Sequence, residues 1–81
     1  MKLQKWSYET RKYTDYEIPE NWICPIYSDN MDQIINCTSC GRLLRYGACY
    51  TSLTIHNGHG FGYPVCRECY KEEWNERRGE R

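Results

Sequence analysis

The sequence predicts a small α+β domain, and three observations lead to this class. Two cysteine pairs are spaced like metal ligands, several short stretches carry aromatic or β-branched residues at every second position, and the last part of the chain has helical spacing. With 81 residues, the chain has room for one small domain. Domains of this size often need a metal, disulfides or a partner to be stable.

Residues 1–36 contain no glycine and predict a β-rich N-terminal extension. Aromatic and β-branched residues lie two apart in two stretches, namely Trp6, Tyr8 and Thr10, and then Thr14, Tyr16 and Ile18. This spacing is typical of strands, and the polar residues 9–12 between them predict the turn of a hairpin. Proline at positions 19 and 25 then interrupts regular structure, before a short strand over 32–36 leads into Cys37.

Residues 37–81 predict a second unit that contains all six glycines. We expect strands over 42–46 and 48–56 to form a hairpin that turns at Gly47. Asn57-Gly58 opens a glycine-rich loop, and residues 61–65 predict a short returning strand.

From Cys66 onward the pattern is helical. Four residues have the spacing of one helix face: Cys66, Cys69, Tyr70 and Trp74. Three glutamates at like spacing predict a solvated face: Glu68, Glu72 and Glu76. Glu73 and Arg77 are four apart and are expected to pair. Four aromatic residues are the candidates for the core: Trp22, Tyr50, Tyr70 and Trp74.

Two Cys-x-x-Cys pairs are the strongest chemical signal, namely Cys37-Thr38-Ser39-Cys40 and Cys66-Arg67-Glu68-Cys69. Zinc prefers four tetrahedral ligands, and a two-residue spacer lets both sulfurs of a pair face one ion. Gly41 lets the backbone curl around the metal. We therefore predict one structural Zn²⁺ per chain, bound by Cys37, Cys40, Cys66 and Cys69. Two unrelated pairs or a redox dithiol are the alternatives, although the βαβ pattern of a redox dithiol is missing.

Four further residues could ligate a metal: Cys24, Cys49, His56 and His59. In principle they could form a second site, or one histidine could replace a cysteine. Their spacing favours a simpler interpretation, in which both cysteines are small buried hydrophobes and both histidines are loop residues.

The cysteine pairs and the segments between them resemble the treble-clef zinc finger, closest to LIM-like and related bacterial or phage single-finger variants. The resemblance covers about residues 35–78. It implies a zinc knuckle holding Cys37 and Cys40, a hairpin, and a helix whose first turn holds Cys66 and Cys69. A LIM domain has a second zinc site, for which this chain has no room. Treble clefs bind proteins, nucleic acids and lipids alike, so the resemblance leaves function open.

Four thiolates would fill the coordination shell of the metal, which is typical of structural rather than catalytic zinc. No motif orients a thiol or carboxylate for catalysis. We therefore expect a non-catalytic binding module, an adaptor or inhibitor. The small size and the many tyrosines also suit an accessory protein of a phage or mobile element.

The aromatic residues favour a protein partner, because Tyr and Trp are enriched at interfaces. Four of them crowd the N-terminal extension and are candidate partner-binding residues: Trp6, Tyr8, Tyr13 and Tyr16. They could equally cover the finger. The formal net charge is +0, and four thiolates with one Zn²⁺ would lower it by about two, which weakens attraction to nucleic acid.

A nucleic-acid-binding finger is the alternative function. It would use six basic residues, of which the first two flank the knuckle: Arg42, Arg45, Arg67, Lys71, Arg77 and Arg78. The sequence has no stretch apolar enough for a membrane span and no signal-peptide pattern, so we expect a cytoplasmic location. The partner's identity and the oligomeric state are open.

Overall fold

The computed structural model describes residues 1–79, which form one helix and six strands: β1 (Lys2–Ser7), β2 (Lys12–Glu17), β3 (Ile34–Asn36), β4 (Leu43–Arg45), β5 (Tyr50–His56), β6 (Gly62–Val65) and α1 (Arg67–Gly79). A short 3-10 helix, Tyr46–Ala48, separates β4 from β5. The last two residues of the predicted C-terminal unit, 80 and 81, lie outside this part. The chain is thus a small α+β protein, as the sequence predicts.

The strands form a four-stranded antiparallel sheet in the order β2-β1-β5-β6 and a separate pair, β3-β4. The predicted N-terminal hairpin is confirmed. Its strands pair from Lys2 opposite Glu17 to Ser7 opposite Lys12, which leaves residues 8–11 as the turn. Because β1 also pairs with β5, this hairpin extends the sheet of the C-terminal half.

The predicted hairpin of 42–46 with 48–56 is wrong. β4 pairs with β3, and β5 pairs with β6 instead. The cause is the turn that contains Cys37 and Cys40, in which the Cys37 N–H donates to the Arg42 carbonyl at 2.8 Å and the Gly41 N–H donates to the Cys37 carbonyl at 2.8 Å. These bonds reverse the direction of the chain after β3, so that β4 runs antiparallel to β3 and pairs with it.

The core lies between the four-stranded sheet, the cysteine cluster and α1. Its buried aliphatic members are Leu3, Ile18, Ile55 and Val65. Of the four predicted core aromatics, Trp22 and Tyr70 pack partly buried against it. Tyr50 and Trp74 do not belong to the core, since they are 42% and 36% exposed.

The predicted C-terminal helix is confirmed, and its three glutamates of like spacing are exposed as expected: Glu68, Glu72 and Glu76. Glu73 is different. It is buried and faces β5, so the expected surface pair with Arg77 is wrong. None of the helices within residues 1–79 has both the length and the apolar character needed to cross a bilayer.

Candidate metal centre

Two elements bring the four paired cysteines together. Cys37 and Cys40 lie in the connection between β3 and β4, which we call the knuckle (residues 37–42). Cys66 directly precedes α1, and Cys69 lies in its first turn. All four Sγ atoms lie within 4.8 Å of one another, so the two pairs that the sequence singles out form one candidate metal site.

The sulfur geometry fits four ligands around a single ion. The Sγ atoms of Cys40 and Cys66 are 3.8 Å apart. A disulfide bond requires about 2.05 Å. Four sulfurs placed tetrahedrally at about 2.3 Å from an ion are about 3.8 Å from each other. This separation matches the edge of such a tetrahedron, and all six cysteines of the chain are free thiols.

Backbone donors already favour negative charge at the centre of the cluster. The Cys37 sulfur accepts from the Cys66 N–H at 3.2 Å and from the Cys40 N–H at 3.4 Å. Burial raises the pKa of the Cys37 thiol, but the backbone N–H groups of Cys40, Cys66 and Ser39 outweigh burial and leave its pKa below the usual value. Burial raises the pKa of Cys69. A bound cation would therefore be needed to hold all four as thiolates.

Gly41 and Trp22 shape the outer side of the knuckle. Gly41 has φ +82°, in the left-handed region that favours glycine. A Cβ atom at Gly41 would lie 2.5 Å from Cζ2 of Trp22, so the indole ring lies directly against this glycine. The Asn36 side-chain amide donates to the Gly41 carbonyl at 3.0 Å and thereby links the last residue of β3 to the knuckle.

The knuckle is also tied to the large sheet. Thr38 is fully buried and donates to the Pro64 carbonyl through its N–H at 2.9 Å and through Oγ1 at 2.8 Å. The Tyr16 hydroxyl of β2 donates to the Thr38 carbonyl at 2.8 Å. The knuckle, and with it half of the candidate metal site, is thereby held by β2 and by Pro64 of β6.

The four aromatic candidates for partner binding do not share one surface. Tyr16 points to the knuckle, and burial together with the nearby cysteines raises the pKa of its hydroxyl. Tyr8 is half-buried in the hairpin turn. Trp6 and Tyr13 lie opposite each other on the other face of the sheet, with ring centroids 5.1 Å apart. Of this group, Tyr16 therefore covers the knuckle, whereas Trp6 and Tyr13 lie on the opposite face of the sheet.

Cys24, Cys49, His56 and His59 lie outside the four-cysteine cluster. Cys24 is buried and donates its S–H to the Asn36 carbonyl at 3.4 Å, which agrees with the role of a small core residue. Cys49 is half-buried after the 3-10 helix. His59 is an exposed loop residue as expected. His56 is not, because it ends β5, where its Nδ1 lies 3.1 Å from the Tyr13 hydroxyl.

The two arginines that flank the knuckle differ in their surroundings. Arg42 forms an exposed ion pair with Glu68, with Nη1 and Oε2 3.0 Å apart. Arg45 is exposed at the end of β4. The ion pair offsets one of the two charges that a phosphate would meet at this edge.

Glu73 makes a buried polar contact between α1 and β5 that the sequence analysis did not predict. Its Oε2 accepts from the Ser52 hydroxyl at 2.6 Å and from the Thr54 hydroxyl at 3.0 Å, and its Oε1 accepts from the Leu53 N–H at 2.6 Å. A signal was present. Glu73 lies four residues after Cys69 and therefore on the same, inward side of the helix.

Comparisons with known proteins yield no relative. No family model matches the sequence, and neither the curated proteins nor the solved structures contain a significant match.

Proposed function

We propose that this chain is a non-catalytic, zinc-stabilised binding module with a treble-clef arrangement. Its order of elements supports this: the knuckle lies between β3 and β4, the hairpin β5-β6 follows, and the second cysteine pair lies at the start of α1, with Cys66 just before the helix and Cys69 in its first turn. Zinc is the ion that suits four thiolates in a tetrahedron. Four protein ligands leave no position for a substrate, so the ion has a structural role.

The ligand that we propose for this module is a protein, bound on the outer face of the sheet. One observation carries this proposal. Trp6 and Tyr13 form an edge-to-face pair, with Tyr13 47% exposed, on the side of the sheet that points away from the knuckle. Such rings bury a large area at a small cost in side-chain entropy. We call this pair the Trp6–Tyr13 surface.

The strand that carries Tyr13 adds to this argument. β2 is an edge strand of the large sheet and pairs with β1 alone among the described strands. A partner that covers the Trp6–Tyr13 surface can therefore also reach the open edge of β2, and strand addition is a common way in which sheets bind extended segments. The charged residues Lys12, Asp15 and Glu17 limit non-specific pairing at this edge.

The experiment is quantitative affinity purification from the cells that express the protein. The wild type is compared with the Trp6→Ala/Tyr13→Ala double variant and with Tyr27→Ala. Tyr27 is 75% exposed in the irregular segment before β3 and is the matched control for loss of a surface aromatic. Circular dichroism and zinc content establish that all three proteins are folded.

We expect one or a few proteins to be enriched with the wild type and with Tyr27→Ala, and to be lost with the double variant. The same dependence must then hold in a titration of the purified partner. A partner that the double variant retains would contradict the proposed surface. A folded wild type that enriches no protein would contradict the proposed function.

A further inference from the structure

A groove of about 400 Å³ lies along α1, on the side of the sheet that the Trp6–Tyr13 surface does not use. It is lined by three aromatic and three basic residues, which we call the basic aromatic groove: Tyr50, Tyr70, Trp74, Arg67, Lys71 and Arg78. Its seventh lining residue is the uncharged Asn75. The described residues of this groove thus combine three positive charges with no negative one, although the whole chain has a formal net charge of +0.

The charges of α1 are segregated around its axis. At about 100° per residue, Arg67, Lys71 and Arg78 fall within about 40° of one another. The exposed glutamates are centred about 120° away from this row: Glu68, Glu72 and Glu76. These carboxylates therefore do not face a ligand in the groove. Along the axis, the basic row extends over about 16 Å, since eleven residues each rise by about 1.5 Å.

The aromatic wall stands beside this basic row. The rings of Tyr50 and Tyr70 are stacked, with centroids 4.8 Å apart and an angle of 21° between their planes. Trp74 meets Tyr70 edge-to-face, with centroids 6.3 Å apart, and the Arg77 guanidinium lies over the Trp74 ring, 5.2 Å from its centroid. Tyr50 and Trp74 stay 42% and 36% exposed, although a domain with so few aliphatic residues could have used both rings in its core. Exposed rings next to cations are the two components of sites that bind single-stranded nucleic acids.

We propose that the basic aromatic groove binds single-stranded nucleic acid. One base stacks on the Tyr50 ring, on the side away from Tyr70, and a second takes the place of the Arg77 guanidinium over the Trp74 ring. The phosphates that follow contact Arg67, Lys71 and Arg78. An acidic peptide would satisfy the three cations but would bring carboxylates, not flat rings, to the aromatic wall. A volume of about 400 Å³ accommodates a ligand of nucleotide size.

This inference goes beyond the proposed function and does not depend on it. The protein partner would occupy the Trp6–Tyr13 surface, whereas the groove lies on the helix side of the same sheet. Of the six basic residues that the sequence suggests for a nucleic-acid-binding finger, the groove uses Arg67, Lys71 and Arg78, but neither Arg42 nor Arg45 at the knuckle.

The test is a fluorescence-anisotropy titration of the zinc-loaded full chain with a labelled ten-nucleotide oligothymidylate, at about 50 and 200 mM salt. We expect a Kd of about 1–100 µM at the lower salt. Three phosphate contacts on a single strand predict a log–log salt slope of about −2, and thus about a 20-fold loss of affinity between the two conditions.

Two variants separate the cations from the rings. Lys71→Gln/Arg78→Gln is expected to bind about tenfold more weakly and to reduce the salt slope to about −0.7. Trp74→Leu is expected to bind about five- to hundredfold more weakly with the slope unchanged, because it removes stacking and no charge. Both changes lie on the exposed side of α1.

The matched control is Arg42→Gln/Arg45→Gln, which changes the net charge by the same amount at the knuckle. It should leave the affinity within about twofold. Equal loss in this control would overturn the proposal, as would no binding by the folded wild type. A labelled ten-residue polyglutamate that binds more tightly than the oligonucleotide, and depends on Lys71 and Arg78, would assign the groove to acidic peptides and also overturn it.

Discussion

Glu73 compensates for an irregularity in β5. The pairing of β5 with β6 shifts register between Thr51 and His56, so the N–H groups in between lose their place in the ladder. The Glu73 carboxylate accepts from the Leu53 N–H, and the Ser52 hydroxyl oxygen accepts from the N–H groups of Thr54 at 3.1 Å and Ile55 at 2.8 Å. A buried carboxylate on the helix thus accepts a β5 hydrogen bond that a neighbouring strand would otherwise accept.

Glu73→Ala should therefore lower the free energy of unfolding by about 2–4 kcal/mol, because it leaves the half-buried Leu53 N–H and two buried hydroxyls without their acceptor. The measurement is urea denaturation of the zinc-loaded protein. Glu76→Ala is the matched control, since Glu76 is exposed on the same helix and its loss should change stability by less than about 0.5 kcal/mol. Similar effects of the two substitutions would show that the buried carboxylate is not a stabilising contact.

Gly41 supports a second prediction at the scale of single residues. Gly41→Ala forces a side chain into the left-handed region and places its Cβ 2.5 Å from the Trp22 ring. Strain of about 1–3 kcal/mol in the knuckle should weaken zinc binding by about five- to hundredfold in competition with a chromophoric chelator. Gly58→Ala meets nothing within 4 Å and should bind zinc like the wild type. Equal affinity of both variants would contradict the role of Gly41.

At the scale of elements, the candidate metal centre lies where the knuckle meets the start of α1. The knuckle supplies Cys37 and Cys40, the residue before α1 supplies Cys66, and the first turn of α1 supplies Cys69. Metal binding of this type contributes about 10–16 kcal/mol in small finger peptides, which exceeds the stability of most small domains. Folding of this chain should consequently depend on the ion.

Elemental analysis should find one zinc per folded chain. Cys37→Ser, or removal of zinc by a chelator, should unfold the protein as seen by circular dichroism. Cys24→Ala/Cys49→Ala is the matched control, because neither residue belongs to the cluster. It should retain one zinc and lose about 1–3 kcal/mol of packing. Loss of zinc from this control, or a chain that stays folded without metal, would contradict the ligand set or its structural role.

The elements differ in how far the sequence could predict them. Cysteine spacing and turn chemistry are local signals, so the four clustered cysteines, the N-terminal hairpin and α1 were all predicted. Strand partners are not local. Nothing near Gly47 in the sequence shows that β4 is already paired with β3 when the chain reaches β5. Burial is equally non-local, so Glu73 was expected at the surface and Trp74 in the core.

At the scale of the whole molecule, the sheet separates two proposed binding surfaces. The paired residues Trp6 and Tyr13 lie on its outer face. Tyr16 lies on the inner face toward the knuckle, as does Thr14 two positions before it in β2. The groove follows the basic row of α1, about 120° around the helix from its exposed glutamates. Net charge could not reveal this arrangement, because the basic row and the glutamates of α1 cancel in the sum and separate only when the helix forms.

The last prediction is that the two surfaces act independently, so that the chain is an adaptor between a protein and a single-stranded nucleic acid. Trp6→Ala/Tyr13→Ala should lose the protein partner and bind the oligothymidylate with unchanged affinity and salt slope. Lys71→Gln/Arg78→Gln should show the reverse, because substitutions at separate sites without shared contacts act additively. The measurement is the titration of each variant with each ligand, followed by the wild type with partner added to the saturated oligonucleotide complex. A ternary complex is expected, and displacement of the oligonucleotide by the partner would show instead that both ligands compete for one surface.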